Sequence, residues 1–126
     1  MGAVSRLRAG RAAEVGRAGE RAAAQFLRSQ GFAIVGAGFR ARRGELDLVC
    51  RRGGSLYVVE VKTRTSDAFG TPLEAVGARK RQALIAAAAE YRALTEWRGP
   101  IRYAVVAITL RGDDRIGAEL IEDPFG

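Results

Sequence analysis

Hydrophobic and polar positions follow two different periods along this chain of 126 residues. Between Glu14 and Ser29, small and apolar residues recur every three to four positions, which predicts a helix that stops at Gly31. Elsewhere, short apolar runs bounded by glycine and charged residues predict strands. The predicted strands cover residues 32–40, 45–50, 56–63, 101–110 and 118–123. A turn at 51–54 makes the second and third strands a hairpin.

A second helix is predicted between the third and fourth strands. The sequence "TPLE" at 71–74 is a typical helix start, because Thr71 can cap the helix, Pro72 suits its first position and Glu74 completes a capping box. This helix is predicted to run to about Trp97 and to pack through one apolar stripe. The resulting order, α-β-β-β-α-β-β, predicts an α/β fold with a mixed sheet flanked by helices.

Length and composition limit both the architecture and the chemistry. Residues 1–12 are predicted to form a flexible basic arm, and residues 13–126 a single domain. The chain has no histidine, which excludes Ser-His-Asp triads and histidine-based metal sites. Cys50 is the only cysteine, so neither an internal disulfide nor a structural zinc site is expected, which suits a cytoplasmic protein. Any catalysis must therefore rest on carboxylates, lysine, arginine, hydroxyls or a metal bound by oxygen.

The charge distribution indicates a polyanionic partner. The net charge is +7, which favours nucleic acid over the alternative that an arginine-rich composition raises the charge without a functional cause. No apolar run approaches the roughly 20 residues that span a membrane. Phosphate contacts are predicted for basic residues around the hairpin and on the second helix, although Lys80 could equally cover the edge of the core. These residues are Arg40, Arg42, Arg43, Arg64 and Lys80, with Arg51 and Arg52 at the hairpin turn.

The stretch "LYVVEVKTRT" at 56–65 places charge in a strand that is otherwise apolar. Because side chains alternate in a strand, Glu60 and Lys62 lie on the same face as Leu56 and Val58. Buried charges are costly unless they are paired or bound to a metal. The pair is either a salt bridge at the end of a strand or part of a charged site.

Two further acids can converge on this pair. Asp47 is expected to project on the face opposite Leu46 and Leu48, and in-register pairing of the hairpin brings it near Glu60. Glu20 falls on the inward stripe of the first helix, where an apolar residue would be expected. Acids aimed at one region repel one another unless they are protonated or neutralised by a divalent cation. The combination favours a metal-dependent phosphodiester site.

These motifs resemble those of known nucleases. Asp47 followed by "EVK" at 60–62 resembles the PD-(D/E)xK motif. "GE" at 19–20, "RRGELDLV" at 42–49, "VVEVKTR" at 58–64 and "FGTPLEAV" at 69–76 are similar to the uncharacterised bacterial YraN-like family, regarded as relatives of archaeal Holliday junction resolvases.

The resemblance implies a restriction-endonuclease-like fold and a role for each site residue. Asp47 and Glu60 would bind Mg²⁺ (or Mn²⁺), with help from the carbonyl of Val61. Lys62 would be the catalytic lysine, and Glu20 the acid supplied by a helix. Independently of the family, the chain uses arginine for all but two of its 21 basic residues, and one of the two lysines is Lys62. Lysine and arginine are not interchangeable in a metal pocket.

We therefore expect a Mg²⁺-dependent nuclease that hydrolyses phosphodiester bonds in DNA, with structured or branched DNA as one candidate substrate. The alternative is a nucleic-acid-binding module with a vestigial, non-catalytic acidic site. A third interpretation is a basic interaction protein without a nucleic-acid role. Symmetric cutting of two strands would favour a homodimer.

Overall fold

The helices and strands follow one another in the predicted order, α-β-β-β-α-β-β. The computed structural model describes residues 2–65, 77–112 and 115–124, with the side chains of the first helix described from Glu14 onward. The elements are α1 (Gly2–Ser29), β1 (Ala33–Arg40), β2 (Glu45–Arg52), β3 (Ser55–Thr65), α2 (Ala78–Thr95), β4 (Ile101–Leu110) and β5 (Ile116–Glu122).

Most predicted boundaries agree with these bounds to within two residues, and the helices differ most. Helix α1 begins at Gly2, so the segment 1–12 that was predicted as an arm is helical from Gly2 onward; its flexibility stays a prediction. The predicted capping box at 71–74 lies outside the described residues. Helix α2 ends at Thr95 because Glu96 adopts a left-handed conformation, with φ of 56°, and its N–H bonds back to Arg92.

The five strands form one mixed sheet in the order β1-β2-β3-β4-β5. β1, β2 and β3 are antiparallel neighbours, and β4 and β5 are too. β3 and β4 are parallel, which requires a crossover, and α2 lies in that connection. The expected α/β fold is therefore confirmed.

One helix covers each side of the sheet, which explains the continuous apolar run in β3. Strands buried on both faces lose the usual apolar-polar alternation. On the α1 side, the buried residues that α1 and β3 contribute are Ala22, Ala23, Leu27, Tyr57 and Val59. On the α2 side, they are Leu56, Val58, Leu84, Ala87 and Ala88. Each fully buried leucine or valine contributes roughly 1.5–3 kcal/mol of hydrophobic stabilisation.

Candidate functional site

Strands β2 and β3 separate beyond Leu48 and Val59, the last pair of residues in their ladder. From there β2 continues beside β1, whereas β3 continues beside β4. Because each strand follows its other neighbour, an opening forms between them at this end of the sheet. Asp47 and Glu60 are the next residues on its two sides.

Asp47 lies where the alternation of side chains between the two sides of the sheet is interrupted in β2. Leu46 packs on the α2 side of the sheet and Leu48 on the α1 side, whereas regular alternation would put both on one side. Across from Asp47 in β1 is Gly38, whose φ of 64° lies in the left-handed region that favours glycine. The expectation that Asp47 projects opposite both leucines is therefore wrong, because the strands are irregular at this position.

The side chain of Asp47 reaches across the opening to β3. Its Oδ2 accepts a hydrogen bond of 2.9 Å from the N–H of Val61. In an extended strand the N–H and C=O of one residue point to the same edge. The Val61 carbonyl, which the resemblance assigns to metal binding, therefore also faces the opening.

Glu60 is mostly buried on the other side of the opening, with 12% of its side chain exposed. Its Oε1 lies 3.2 Å from Nζ of Lys80 in α2. Its Oε2 is buried and has no hydrogen-bond partner within the part of the chain that the structure describes. A buried oxygen without a partner costs free energy comparable to a lost hydrogen bond, and more when it is charged.

The negative charges at the opening oppose one another. Burial raises the pKa of Asp47 above that of an ordinary aspartate. The hydrogen bond from Val61 and the charge of Lys80 lower this pKa, whereas Glu60 and Glu45 raise it, and the net direction is upward. A group that resists ionisation in this way favours either a proton or a nearby cation.

Glu20 lies at the rim of the site rather than on the buried stripe of α1. It is exposed, whereas Gly19, Ala23 and Leu27 are buried; the expected inward position is wrong because Gly19, and not Glu20, faces the sheet. Partial burial still raises the pKa of Glu20, and the charges of Asp47 and Glu45 raise it further. Glu20 is therefore within electrostatic reach of Asp47, and its catalytic role stays a prediction.

The two lysines approach the site from different elements. Lys62 is half-buried in β3, and alternation with Val61, which packs on the α1 side, puts it on the same side as Glu60. Lys80 lies in the first turn of α2, where it faces the sheet and pairs with Glu60, although 53% of its side chain is exposed. The prediction that Lys80 contacts phosphate is not tested by this ion pair.

The arginines divide between the two ends of the hairpin. Arg40, Arg42 and Arg43 are exposed where β1 leads into β2, and Arg64 lies near the end of β3, so all four are at the open end with Asp47. The arginines beside the hairpin turn have structural contacts. Arg52 pairs with Glu122 at 2.8 Å and stacks on Phe32, and Arg51 stacks on Trp97.

A second feature, which the sequence analysis did not single out, is a cleft between α1 and the β1–β2 strands. It encloses about 280 Å³, and its lining includes three arginines of α1. Their spacing of four and seven residues puts them on one side of a helix, a signal that is visible in the sequence. The lining residues of this α1 cleft are Arg17, Glu20, Arg21, Ala24, Arg28, Ile34, Ala37 and Leu48.

The described residues contain no group of three or more acidic or cysteine side chains close enough to hold a metal ion on their own. The predicted ligands are only two carboxylates, Asp47 and Glu60, and the Val61 carbonyl. Mg²⁺ usually binds one or two carboxylates and completes its coordination with water and substrate phosphate. The donor set fits such a cation, and the metal site stays a prediction.

Sequence comparisons find one family model and many similar proteins. A family model described as "Uncharacterised protein family UPF0102" matches residues 19–108. A UPF0102 protein of Symbiobacterium thermophilum is 44% identical over 112 residues, covering 88% of this chain and 95% of the relative. One of Hahella chejuensis is 39% identical over 115 residues, covering 89% and 90%. None of the described helices is long and apolar enough to cross a membrane.

Proposed function

The chain belongs to the UPF0102 family, and we propose that it is a Mg²⁺-dependent nuclease that hydrolyses phosphodiester bonds in DNA. The observation that carries this proposal is Oε2 of Glu60, a buried carboxylate oxygen without a hydrogen-bond partner among the described residues. It lies at the opening that Asp47 spans from the other strand. A cation bound by both carboxylates would offset the cost of burying them.

Three backbone and side-chain groups would hold the cation. These are the carboxylates of Asp47 and Glu60 and the carbonyl of Val61. The chemistry that Mg²⁺ or Mn²⁺ supplies when bound is polarisation of a phosphoryl oxygen. The ion pair between Lys80 and Glu60 would yield to the cation, because 53% of the lysine side chain is exposed and water can solvate its ammonium group, while the cation replaces it beside the buried carboxylate.

The remaining site residues act on the substrate directly. Lys62, on the same side of β3 as Glu60, would orient the attacking water and stabilise charge that develops on the phosphoryl group. Glu20, at the rim, would help to hold a proton or orient water. The exposed arginines at 40, 42 and 43, together with Arg64, would contact backbone phosphates, which fix the position of DNA without selecting a sequence.

The proposed substrate class rests on the resemblance of the motifs to the YraN-like family, which is regarded as related to archaeal Holliday junction resolvases. That likeness supports structured or branched DNA as the substrate. A homodimer would allow symmetric cutting of two strands. We also propose a cytoplasmic location, in keeping with the lone, buried Cys50.

The test is cleavage of end-labelled duplex, single-stranded, flapped and four-way DNA with Mg²⁺ or with a chelator. Purified protein is expected to cut at least one substrate, only with the metal, and Glu60→Gln is expected to abolish cutting while keeping the size and shape of the side chain. The absence of cleavage of every substrate would overturn the proposal. Equal cleavage by wild type and Glu60→Gln would assign the activity to a contaminant.

A second candidate function is DNA binding without catalysis, and the ion pair between Lys80 and Glu60 favours it. A lysine that neutralises Glu60 could serve in place of a metal in a vestigial site. This candidate predicts binding without cleavage under any metal condition. Both candidates predict that affinity falls with salt, by about 10³-fold between about 50 and 200 mM for roughly six phosphate contacts.

A further inference from the structure

The α1 cleft has charged walls and an apolar floor. Arg17, Arg21 and Arg28 line it from the helix, while Ile34 and Ala37 of β1 form part of its floor. In the described part of the chain, none of these three arginines makes an ion pair. The lining also contains one acid, Glu20, so three arginines and one glutamate leave the cleft with a net charge of +2 beside an apolar surface.

This combination fits a ligand that is anionic at one end and flat and apolar at another. A duplex presents phosphates and sugars on its outside and keeps its base faces stacked inside. An unpaired nucleotide presents both a phosphate and a free base face, and guanidinium planes stack on such bases. The volume of about 280 Å³ is near the lower end of the range for small-ligand pockets, about 300–1,000 Å³. A whole duplex does not fit such a space, because its major groove alone is about 12 Å wide.

The cleft also leads to the carboxylate site. Glu20 belongs to the cleft lining, and Leu48, at the cleft floor, is the residue next to Asp47. From there the cleft extends along α1 toward Arg28. A strand in the cleft therefore lies on the α1 side of the sheet, beside the opening between β2 and β3. It would reach Glu60 and Lys62, which face α2, through that opening.

We propose that the α1 cleft binds an unpaired nucleotide next to the cut position, so that the protein selects DNA in which a single-stranded segment adjoins a duplex. This inference rests on the proposed function, because only a nuclease has a cut position. The binding step itself needs no catalysis and can be measured alone. Its chemistry would also suit a free mononucleotide, which the experiment separates from a strand.

The experiment measures dissociation constants by fluorescence anisotropy, with a chelator present, for a labelled single-stranded oligonucleotide and a labelled blunt duplex. Arg17→Gln and Arg21→Gln are compared with Arg98→Gln, an equal charge change at an exposed residue. Arg98 lies in the loop whose Gly99 approaches the β2–β3 turn at Gly54, at the far end of the sheet. A fourth variant, Ala37→Glu, adds a negative charge and bulk to the cleft floor at an exposed position.

The cleft variants are expected to weaken single-strand binding by about tenfold and duplex binding by less than about twofold, and Arg98→Gln to change neither by more than about twofold. Equal losses on both ligands would reduce the cleft arginines to general phosphate contacts and overturn the inference. So would displacement of the oligonucleotide by thymidine monophosphate at the same concentration. Strand-selective binding without any cleavage would support this inference and overturn only the nuclease proposal.

Discussion

Oδ2 of Asp47 accepts the N–H of Val61 at 2.9 Å, so a side chain links β2 and β3 beyond the point where their backbone ladder ends at Leu48 and Val59. Beyond this point the backbone carbonyls of β2 no longer pair with β3, and the carboxylate of Asp47 accepts the hydrogen bond from the Val61 N–H in their place. Asp47 thus has a structural role that is separable from metal binding. A carboxylate and a carboxamide can both accept this bond, and only the carboxylate is a strong ligand for Mg²⁺.

At a pH of about 4, where ionisation of Asp47 contributes little to stability, we expect Asp47→Ala to lower the free energy of unfolding and Asp47→Asn to preserve it. Alanine removes the acceptor and leaves the half-buried Val61 N–H without a partner, at a cost of about 1–3 kcal/mol. Asparagine keeps an acceptor oxygen in the same place. Urea denaturation with a chelator present gives both values. Equal destabilisation by the two changes would contradict the structural role of the hydrogen bond.

The pH dependence of stability should also distinguish Asp47→Asn from wild type. Burial and neighbouring acids raise the pKa of Asp47 in the folded state. Between the pKa of the unfolded chain and this raised pKa, the folded state binds more protons, so the stability that Asp47 contributes falls as pH rises. The penalty is complete above the folded pKa and absent below the unfolded pKa.

Asparagine cannot ionise, so Asp47→Asn should gain stability relative to wild type as pH rises from about 4 to about 8. The raised pKa of Glu20 also lowers stability as pH rises. Glu20 is present in both proteins, so its contribution largely cancels when their stabilities are compared. Urea denaturation at several pH values without metal measures the effect. A stability difference that stays constant with pH would show that Asp47 does not titrate abnormally in the folded state.

The order of the elements could be predicted from the sequence because it depends on local patterns. The apolar periodicity of α1 and the continuous apolar run before Glu60 both show which positions are buried. The spacing of buried positions indicates a helix in the first case and a strand in the second. The turn at Gly53, with φ of 61°, is favoured by its own residue type. Local patterns were sufficient wherever the strands remain regular.

The details of the site could not be predicted because they depend on irregular and distant contacts. Leu46 and Leu48 lie on opposite sides of the sheet, with a left-handed Gly38 in the neighbouring β1, and nothing within the sequence of β2 itself reveals this. The helical period alone did not decide that Gly19 faces the sheet and Glu20 the rim, because Gly19 lies four residues and Glu20 three residues before the buried Ala23, and both spacings fit one helix face. The partner of Glu60 is Lys80, twenty positions further along the chain and on another element.

Gly19 should tolerate alanine much less well than Gly16, although both lie in α1. A Cβ added at Gly19 would lie 2.8 Å from Cβ and Cγ2 of Thr63, whereas one added at Gly16 would meet nothing within 4 Å. A change of rotamer moves Cγ2 of Thr63 but not its Cβ, so this contact is relieved only by a shift of the backbone. We expect Gly19→Ala to cost about 1–3 kcal/mol and Gly16→Ala to gain up to about 1 kcal/mol.

The two glycine variants form a matched pair, since the chemical change and the helix are the same. Thermal and urea denaturation of both proteins provide the comparison. Similar effects from both would mean that α1 does not approach β3 at Thr63, and the position of Glu20 beside the site would then lack support.

Lys62→Arg should abolish cleavage, whereas Arg64→Lys should leave most of it, although both changes keep the charge. Lys62 is half-buried on the side of Glu60, where a compact ammonium can approach a phosphoryl oxygen and the attacking water. A guanidinium there is broader and cannot act as a base near neutral pH. Arg64 lies two residues further along β3, where a phosphate contact tolerates either cation. Losing one well-placed charge contact in such a site costs about 10²–10³-fold in rate, or about 2.7–4 kcal/mol.

The comparison requires both variants to fold and to bind DNA as wild type does, because only then does a rate difference report the chemical step. Circular dichroism and anisotropy with a chelator check these conditions before cleavage is assayed with Mg²⁺. If Lys62→Arg cuts as fast as wild type, Lys62 provides only positive charge and is not a catalytic lysine. Loss of cleavage in Lys62→Arg with unchanged DNA affinity would instead separate catalysis from binding. A binding module with a vestigial site has no cleavage to lose, so this result would exclude it.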